Sequence, residues 1–188
     1  MDRGLISTRY ARSLLDYAVS LDQQNEVYDR LKTLSEVFWE VPKLRVALTN
    51  KSILLEERLK ILRTAVGENM PSSLKEMADL IFLNEREDLI QYIVLRYIEL
   101  YRDRFKILHG KLITAVPLSK DQTNSIYKRI QKLVGDNLEL DPAVDSDLIG
   151  GFVLHLDDYR WDASVLGELT RIKSHFKKIE ALSALQNK

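Results

Sequence analysis

The first half of the chain has the apolar periodicity of packed helices. From residue 7 to about residue 106, apolar positions recur at helical spacing, with stops at Pro42, Gly67 and Pro71. The pattern predicts six helices, at about 7–21, at 26–39, a short one after Pro42, and at 51–66, 72–84 and 87–105. We therefore expect residues 1–106 to form a six-helix bundle.

A period of two replaces the helical period after Gly110. The side chains of residues 112–116 alternate between two faces, with Leu112, Thr114 and Val116 on one and Ile113 and Ala115 on the other. This pattern is typical of a short strand, and Pro117 ends it. Ser119 is followed three residues later by Gln122, which is the sequence of a capping box and predicts a helix to about Val134. The change of period places a domain boundary near Gly110.

Further strands and a last helix complete the second half. The runs at 138–140 and 151–156 are typical of strands, a turn is expected at 157–160, and a helix is expected from about Ser164 toward Leu185. Residues 110–188 are thus predicted to form a small α+β domain. The predicted fold class is mainly α, with an N-terminal six-helix bundle and a small C-terminal α+β domain.

Two of the predicted helices carry more apolar residues than one core-facing stripe needs. In the first helix these residues are Tyr10, Ala11, Leu14, Leu15, Tyr17, Ala18, Val19 and Leu21. In the fifth they are Leu74, Met77, Ala78, Leu80, Ile81, Phe82 and Leu83. Such a helix is either buried on most sides or offers a second face to a partner, and the pattern leaves both interpretations open.

Composition indicates that the partner is a protein. Lys and Arg number 28 and Asp and Glu number 28, so no net charge attracts nucleic acid or an anionic membrane. No apolar run approaches the ~20 residues of a membrane-spanning helix. The basic clusters at 128–132 and 171–178 lack interleaved aromatic side chains, so we interpret them as solvated helix faces. We expect neither nucleic-acid binding nor direct membrane insertion.

No set of residues has the pattern of a catalytic, cofactor or metal site. Cysteine is absent, which excludes a disulfide framework and a thiolate site. The three histidines, His109, His155 and His175, lack the short spacings of metal ligands. The run from Asp145 opens like a calcium loop, but Ile149 stands where an oxygen ligand is required.

The pair Gly150 and Gly151 is better explained by backbone conformation than by phosphate binding. A phosphate loop opens a helix, whereas the residues from Phe152 onward continue as a strand. Glycine tolerates torsions that a side chain forbids, so we expect a bulge or a close backbone approach at the start of this strand.

Three segments resemble one known family. Residues 9–18, Arg-Tyr-Ala-Arg-Ser-Leu-Leu-Asp-Tyr-Ala, resemble the opening helix of the ATP synthase delta subunit family, which is related to the mitochondrial oligomycin-sensitivity-conferring protein. Residues 114–119 look like the strand that enters the family's second domain. The run 144–153 and the Asp-x-Ser that follows it are the most specific. The motif residues are Asp145, Leu148, Ile149, Gly150, Gly151, Phe152, Asp162 and Ser164.

The chain departs from the family pattern at two places. Members often have proline where this chain has Ser146. Many have Asn-Gly-Arg where this chain has Asn84, Glu85 and Arg86. Neither departure alters the two-domain plan, although the second bears on the loop between the fifth and sixth helices.

The resemblance implies a non-catalytic stator subunit of a rotary F-type ATP synthase, which transports protons or sodium ions. The bundle would receive the N-terminal helix of an alpha subunit between its first and fifth helices, and the C-terminal domain would meet b-type peripheral stalk subunits. Mapped onto this sequence, the alpha-binding residues are Tyr10, Ser13, Tyr17, Glu76, Leu80 and Leu83. No cofactor is implied.

Location and an alternative function complete the expectations. The N-terminal sequence has no Arg-rich, acid-poor leader, so we expect a peripheral position on the cytoplasmic side of a bacterial inner membrane, as part of the complex. The alternative is an unrelated helical adapter or a ligand-binding regulatory module. That alternative requires a closed apolar pocket with convergent polar groups.

Overall fold

The chain divides into two compact units, Met1–Phe105 and Lys106–Lys188. We call them the helical unit and the sheet unit. The structure is a computed structural model that describes residues 3–67, 69–135, 137–156, 159–165 and 167–169. No helix in these ranges is long and apolar enough to cross a membrane.

The helical unit contains six α-helices among its described residues. In chain order they are α1 (Arg3–Ser20), α2 (Gln24–Glu40), α3 (Lys43–Thr49), α4 (Leu55–Val66), α5 (Ser72–Leu83) and α6 (Ile90–Phe105). A short 3-10 helix, Glu87–Leu89, precedes α6. Helix α6 packs on both α1 and α2, while α5 packs on α1 and α4.

The core of the helical unit is mainly apolar and includes a cluster of tyrosine side chains near the end of α6. Tyr97 is completely buried, and this burial raises the pKa of its phenol above the ordinary value. The Tyr101 ring stacks on Tyr28 at 4.0 Å between ring centroids and lies 4.5 Å from Phe105. The Tyr101 hydroxyl donates to Asn25 Oδ1 at 2.7 Å. The last turns of α6 are therefore held to the start of α2.

Three helix starts differ from the sequence prediction by three residues or more. Helix α1 begins at Arg3, where a start at about residue 7 was expected. Helix α4 begins at Leu55, not at residue 51, because the Asn50 side chain accepts a hydrogen bond from Ser52 N at 2.9 Å and stabilises a turn. The sixth helix was predicted from residue 87, but the segment from Glu87 is 3-10 and the α-helix begins at Ile90.

The sheet unit contains four strands and one complete helix among its described residues. They are β1 (Leu108–Thr114), α7 (Lys120–Val134), β2 (Leu138–Val144), β3 (Gly151–Leu156) and β4 (Tyr159–Ser164). The strand order is β2-β1-β3-β4, with β1 parallel to β2 and the other two pairs antiparallel. Parallel pairing of β1 and β2 requires a crossover, and α7 supplies it.

Helix α7 begins at the predicted capping box. Ser119 Oγ accepts a hydrogen bond from Gln122 N at 3.3 Å, and Gln122 Oε1 accepts one from Ser119 N at 3.0 Å. Ile130 of α7 is buried among Leu112, Leu154 and other strand residues. The capping box fixes where the helix begins. The side of α7 that carries Ile130 packs on the sheet.

Three predictions for the second half need correction or lie outside the description. Strand β1 begins at Leu108, so Gly110 lies inside the strand and not ahead of it. An added Cβ at Gly110 would lie 2.4 Å from the His155 carbonyl oxygen, so this strand pairing requires glycine there. Residues from Tyr159 form β4, where a turn was expected. The predicted helix toward Leu185 lies mostly outside the described residues.

Candidate functional site

Helices α1 and α5 are joined along one side by polar side chains. Tyr17 Oη of α1 donates to Glu76 Oε2 of α5 at 2.9 Å. At the start of α5, Gln23 Oε1 accepts from Ser73 N at 3.1 Å and from Ser73 Oγ at 2.8 Å. Gln23 Nε2 also donates to Ser72 Oγ at 3.0 Å. These bonds fix α5 beside the end of α1.

The surplus apolar residues of the two helices divide between core and surface. Most of them are buried, including Leu14 in α1 and Ile81 in α5. Tyr17, Leu80 and Leu83 remain 38%, 44% and 78% exposed. The two helices are therefore extensively buried but not on all sides, and some apolar side chains remain exposed to solvent. That these exposed side chains bind a partner stays a prediction.

The six residues predicted to bind a partner lie on these two neighbouring helices. We call them the α1–α5 face: Tyr10, Ser13, Tyr17, Glu76, Leu80 and Leu83. Tyr10 is half-buried and the other five are exposed. Within this set, the Tyr17 hydroxyl donates a hydrogen bond to Glu76.

The electrostatics of the α1–α5 face suit binding and not proton transfer. The hydrogen bond to Glu76 is the main cause that raises the pKa of the Tyr17 phenol, with desolvation and the carboxylate charge adding to it. Tyr17 therefore stays a neutral donor at physiological pH. The face offers apolar contacts and a carboxylate beside a phenol, without a nucleophile held by a base.

The motif residues of the sheet unit meet where β3 pairs with β4. Gly151 lies opposite Ser164, and a Cβ added to Gly151 would lie 2.3 Å from the Ala163 carbonyl oxygen. Gly150 and Gly151 both have positive φ, 69° and 73°. The close backbone approach expected from the sequence is therefore present. Ser164 Oγ donates to Asp162 Oδ1 at 2.6 Å and accepts from Gly167 N at 3.0 Å.

The first part of the motif forms the turn after β2. Asp145 N donates to the Thr114 carbonyl oxygen at 2.9 Å, and Asp145 Oδ1 accepts from Asp147 N at 3.0 Å. Leu148 is half-buried and Ile149 is exposed. These contacts are those of a turn in which an aspartate side chain bonds the backbone two residues on.

The residues considered as metal ligands form no such site in the described part of the chain. No cluster of His, Asp and Glu there has the geometry to hold a metal ion. His109 Nε2 lies 2.8 Å from Asp141 Oδ2 on neighbouring strands, which is a pairwise contact. His155 is exposed on β3, and His175 lies outside the described residues.

Gln23 is a residue that sequence reasoning missed. It lies between two predicted helices, and its role depends on a contact with Ser73, which is distant in sequence. Exposed Tyr159 and Trp161 were also missed, because the segment that contains them was not predicted as a strand.

Comparison with known proteins identifies the family. The sequence model of the family described as ATP synthase delta (OSCP) subunit matches residues 6–176. The chain belongs to this family. The delta (OSCP) subunit is a structural part of the stator of the F-type ATP synthase and not a catalytic subunit.

Individual relatives agree with the family match. The chain is 36% identical over 178 residues to the ATP synthase subunit delta of Bacteroides thetaiotaomicron, covering 94% of this chain and 96% of that protein. It is 34% identical over 174 residues to the subunit delta of Parabacteroides distasonis, covering 93% and 97% of the two chains. Both relatives match over nearly their full length.

A solved structure shares the fold. A chain in the cryo-EM structure of the Toxoplasma gondii mitochondrial ATP synthase hexamer matches with a TM-score of 0.59. The match covers 90% of this chain and 96% of that one at 19% identity. The mainly α fold with a small C-terminal sheet, predicted from the sequence, is thus confirmed.

Proposed function

We propose that this delta-family chain ties the catalytic alpha/beta head of the ATP synthase to b-type peripheral stalk subunits. The observation that carries the proposal is the family match over residues 6–176, which includes both units. A stator must resist the torque of the rotor, so its function is affinity and stiffness and not chemistry. The balanced charge of the chain agrees with tight docking that does not depend on long-range steering.

The α1–α5 face is the proposed site for the N-terminal helix of an alpha subunit. Amphipathic helices bind grooves through apolar residues at helical spacing. Tyr17, Leu80 and Leu83 supply exposed apolar contacts, and the Tyr17–Glu76 hydrogen bond holds the two helices side by side. The proposal assigns the head to the helical unit, residues 1–106 in the sequence prediction.

The sheet unit is the proposed site for the b-type stalk subunits. It corresponds to the predicted domain 110–188, although its first strand begins at Leu108. Two different partners on two compact units would make the chain a connector.

The proposed location is the cytoplasmic side of a bacterial inner membrane. The ATP synthase is a membrane-associated complex, to which a delta-family chain belongs as a peripheral subunit. The relatives of 34% and 36% identity described above are bacterial proteins.

The alternative, an unrelated helical adapter or a ligand-binding regulatory module, is not favoured, because the family match spans residues 6–176. The helical core also offers little room for a ligand. The cavity lined by residues such as Leu14, Leu62 and Ile81 has a volume of about 30 Å³ and an entirely apolar lining. Small-molecule pockets have volumes of about 300–1,000 Å³ with a few polar groups that orient the ligand. The cavity is too small for this role.

The head-binding proposal is tested with Leu80→Asp in the full chain. A carboxylate in a desolvated apolar groove costs a few kcal/mol, or about a hundredfold in affinity. We expect the variant to bind a synthetic peptide of the alpha-subunit N-terminus about a hundredfold more weakly than the unmodified chain. Isothermal titration calorimetry measures the affinity, and circular dichroism with thermal melting confirms that the bundle is folded.

Leu95→Asp is the matched control. Leu95 lies on α6 and has nearly the same exposure as Leu80. This variant should bind the peptide like the unmodified chain. Equal affinity of folded Leu80→Asp and of the unmodified chain would place the alpha-binding site elsewhere.

A further inference from the structure

Helix α7 covers one face of the sheet. On the same face, the edge strand β4 exposes aromatic side chains. The strand register places Trp161 opposite Leu154 and Tyr159 opposite Leu156, so each pair shares a face. Leu154 and Leu156 belong to the core cluster under Ile130 of α7. The α7 side of the sheet therefore extends onto β4.

Burial falls sharply between β3 and β4 along these two rows. Leu154 is 3% exposed and its neighbour Trp161 is 49% exposed. Leu156 is 8% exposed and its neighbour Tyr159 is 80% exposed. Phe152 is half-buried and contacts Trp161 edge to face at 6.1 Å between ring centroids. We call Phe152, Tyr159 and Trp161 the β4 strip.

The sheet is wide enough for a second helix over the β4 strip. Four strands span about 15–19 Å at their usual spacing, and packed helices lie about 8–10 Å apart. Helix α7 connects β1 to β2 and contacts β2, at the opposite edge from β4. A helix seated on the β4 strip would lie beside α7 and on the same face.

The chain itself leaves β4 toward the other face. Asp162 lies opposite Val153, so Asp162 and Ser164 point away from the face that carries Trp161. Gly167 N donates to Ser164 Oγ at 3.0 Å, which ties the residues after β4 to that other face. The occupant of the β4 strip is therefore better sought in a partner than in the segment directly after β4.

The charge of α7 indicates the chemistry of this partner. Helix α7 carries one acidic residue, Asp121, and these exposed basic residues: Lys120, Lys128, Arg129 and Lys132. None of the four forms an ion pair with another residue in the described ranges. A helix lying beside α7 is favoured if it carries carboxylates next to its apolar stripe.

We propose that the β4 strip binds one amphipathic, acid-flanked helix of the b-type stalk partner. This inference rests on the proposed function and gives it a location in the sheet unit. Trp161 is the central contact, since large aromatic residues supply most of the binding energy at such interfaces. The cations of α7 set the orientation of the bound helix and the salt dependence of its binding.

The location can be tested by measuring how well acrylamide quenches the fluorescence of Trp161. The partner in this test is a soluble segment of a b-type stalk subunit, here called the stalk segment. The chain has two tryptophans, so Trp39→Phe leaves Trp161 as the single reporter. Saturation with the stalk segment should reduce acrylamide quenching of Trp161 severalfold. Unchanged quenching in a complex that forms would overturn the location while leaving the proposed function intact. If the chain binds the alpha peptide but not the stalk segment, the stalk function and this inference both fail.

Two variants and one control variant test the binding energy. Trp161→Asp should weaken binding of the stalk segment at least about tenfold. The control is Trp39→Asp, which replaces an exposed tryptophan of α2 and should leave the affinity unchanged. The double variant Arg129→Glu/Lys132→Glu should weaken binding and reduce its dependence on salt. Wild-type affinity of a folded Trp161→Asp variant would contradict the proposal.

The other possible occupants of the strip give different outcomes. If the chain's own residues 170–188 cover it, a chain ending at Leu169 shows greater quenching of Trp161 than the full chain. If a second copy covers it, quenching of Trp161 falls with protein concentration as a dimer forms in sedimentation. Either result would overturn the proposal.

Discussion

At the scale of single residues, the family motif of the sheet unit is explained by backbone geometry. Gly151 lies opposite Ser164, and the β4 backbone passes so close to it that there is no room for a Cβ atom. Asp162 accepts hydrogen bonds from both Ser164 N and Ser164 Oγ, at 3.0 and 2.6 Å. These residues hold the end of β4 in place, which is a structural role suited to a subunit without catalytic residues.

Gly150 and Gly151 allow backbone strain to be separated from crowding. Their φ angles are nearly equal, at 69° and 73°, but a Cβ at Gly150 would have its nearest contact at 3.5 Å, with Val165. We expect Gly150→Ala to cost about 1–2 kcal/mol of unfolding free energy through strain alone. Gly151→Ala should cost about 3 kcal/mol or more, because the Ala163 carbonyl must also move.

Urea unfolding of the sheet unit measures this difference. Trp161 fluorescence in the Trp39→Phe background follows the transition, because Trp161 lies in β4. Equal losses for the two alanine variants would show that the strand pairing relaxes around the added methyl group.

At the scale of elements, a buried ion pair connects α4 to the 3-10 helix before α6. Arg58 Nη1 donates to Glu87 Oε1 at 2.7 Å and to the Leu48 carbonyl oxygen at 3.3 Å. The guanidinium carbon also lies 5.5 Å from the centre of the Phe82 ring, at the end of α5. The pair therefore joins four elements of the helical unit, next to the loop in which Glu85 departs from the family pattern.

Breaking this pair should be more harmful than replacing it. Glu87→Ala leaves the Arg58 charge buried without its partner, which costs about 3–5 kcal/mol of unfolding free energy. The double variant Arg58→Met/Glu87→Leu buries no charge and should recover most of that loss. Urea unfolding followed by circular dichroism at the helical band measures both. A double variant as unstable as Glu87→Ala would mean that packing around Arg58 matters more than its charge.

At the scale of the whole molecule, the two units have separate cores. The helical unit is packed around residues such as Leu14, Leu31 and Tyr97. The sheet unit has its own cluster, which includes Leu112, Ile130 and Leu154. Separate cores suit the proposed role as a connector, since each unit can fold around its own core.

A fragment of residues 1–105 should therefore fold alone. We expect it to be helical, to melt cooperatively and to bind the alpha-subunit peptide with the affinity of the full chain. It should not bind the stalk segment, and complexes rebuilt with it should hydrolyse ATP without pumping ions. An unfolded fragment would show one cooperative unit, and stalk binding as tight as that of the full chain would contradict the division of labour.

The local elements were largely determined by the sequence. Apolar residues at helical spacing predicted six helices to within a few residues, because that spacing is set by the geometry of one helix. Ser119 and Gln122 predicted the start of α7 for the same reason, since a capping box closes within one turn. The motif from Asp145 to Ser164 indicated the family, which the comparisons confirm.

Tertiary structure decided what depends on contacts between residues distant in sequence. The neighbours of Gln23, Arg58 and Gly151 could not be predicted, because no local period states which elements lie side by side. Strand β4 was missed because it is stabilised by pairing with β3 more than by its own alternation. The exposure of Leu80 and Trp161 could not be predicted either, since periodicity gives a residue its face and only packing determines whether that face is covered.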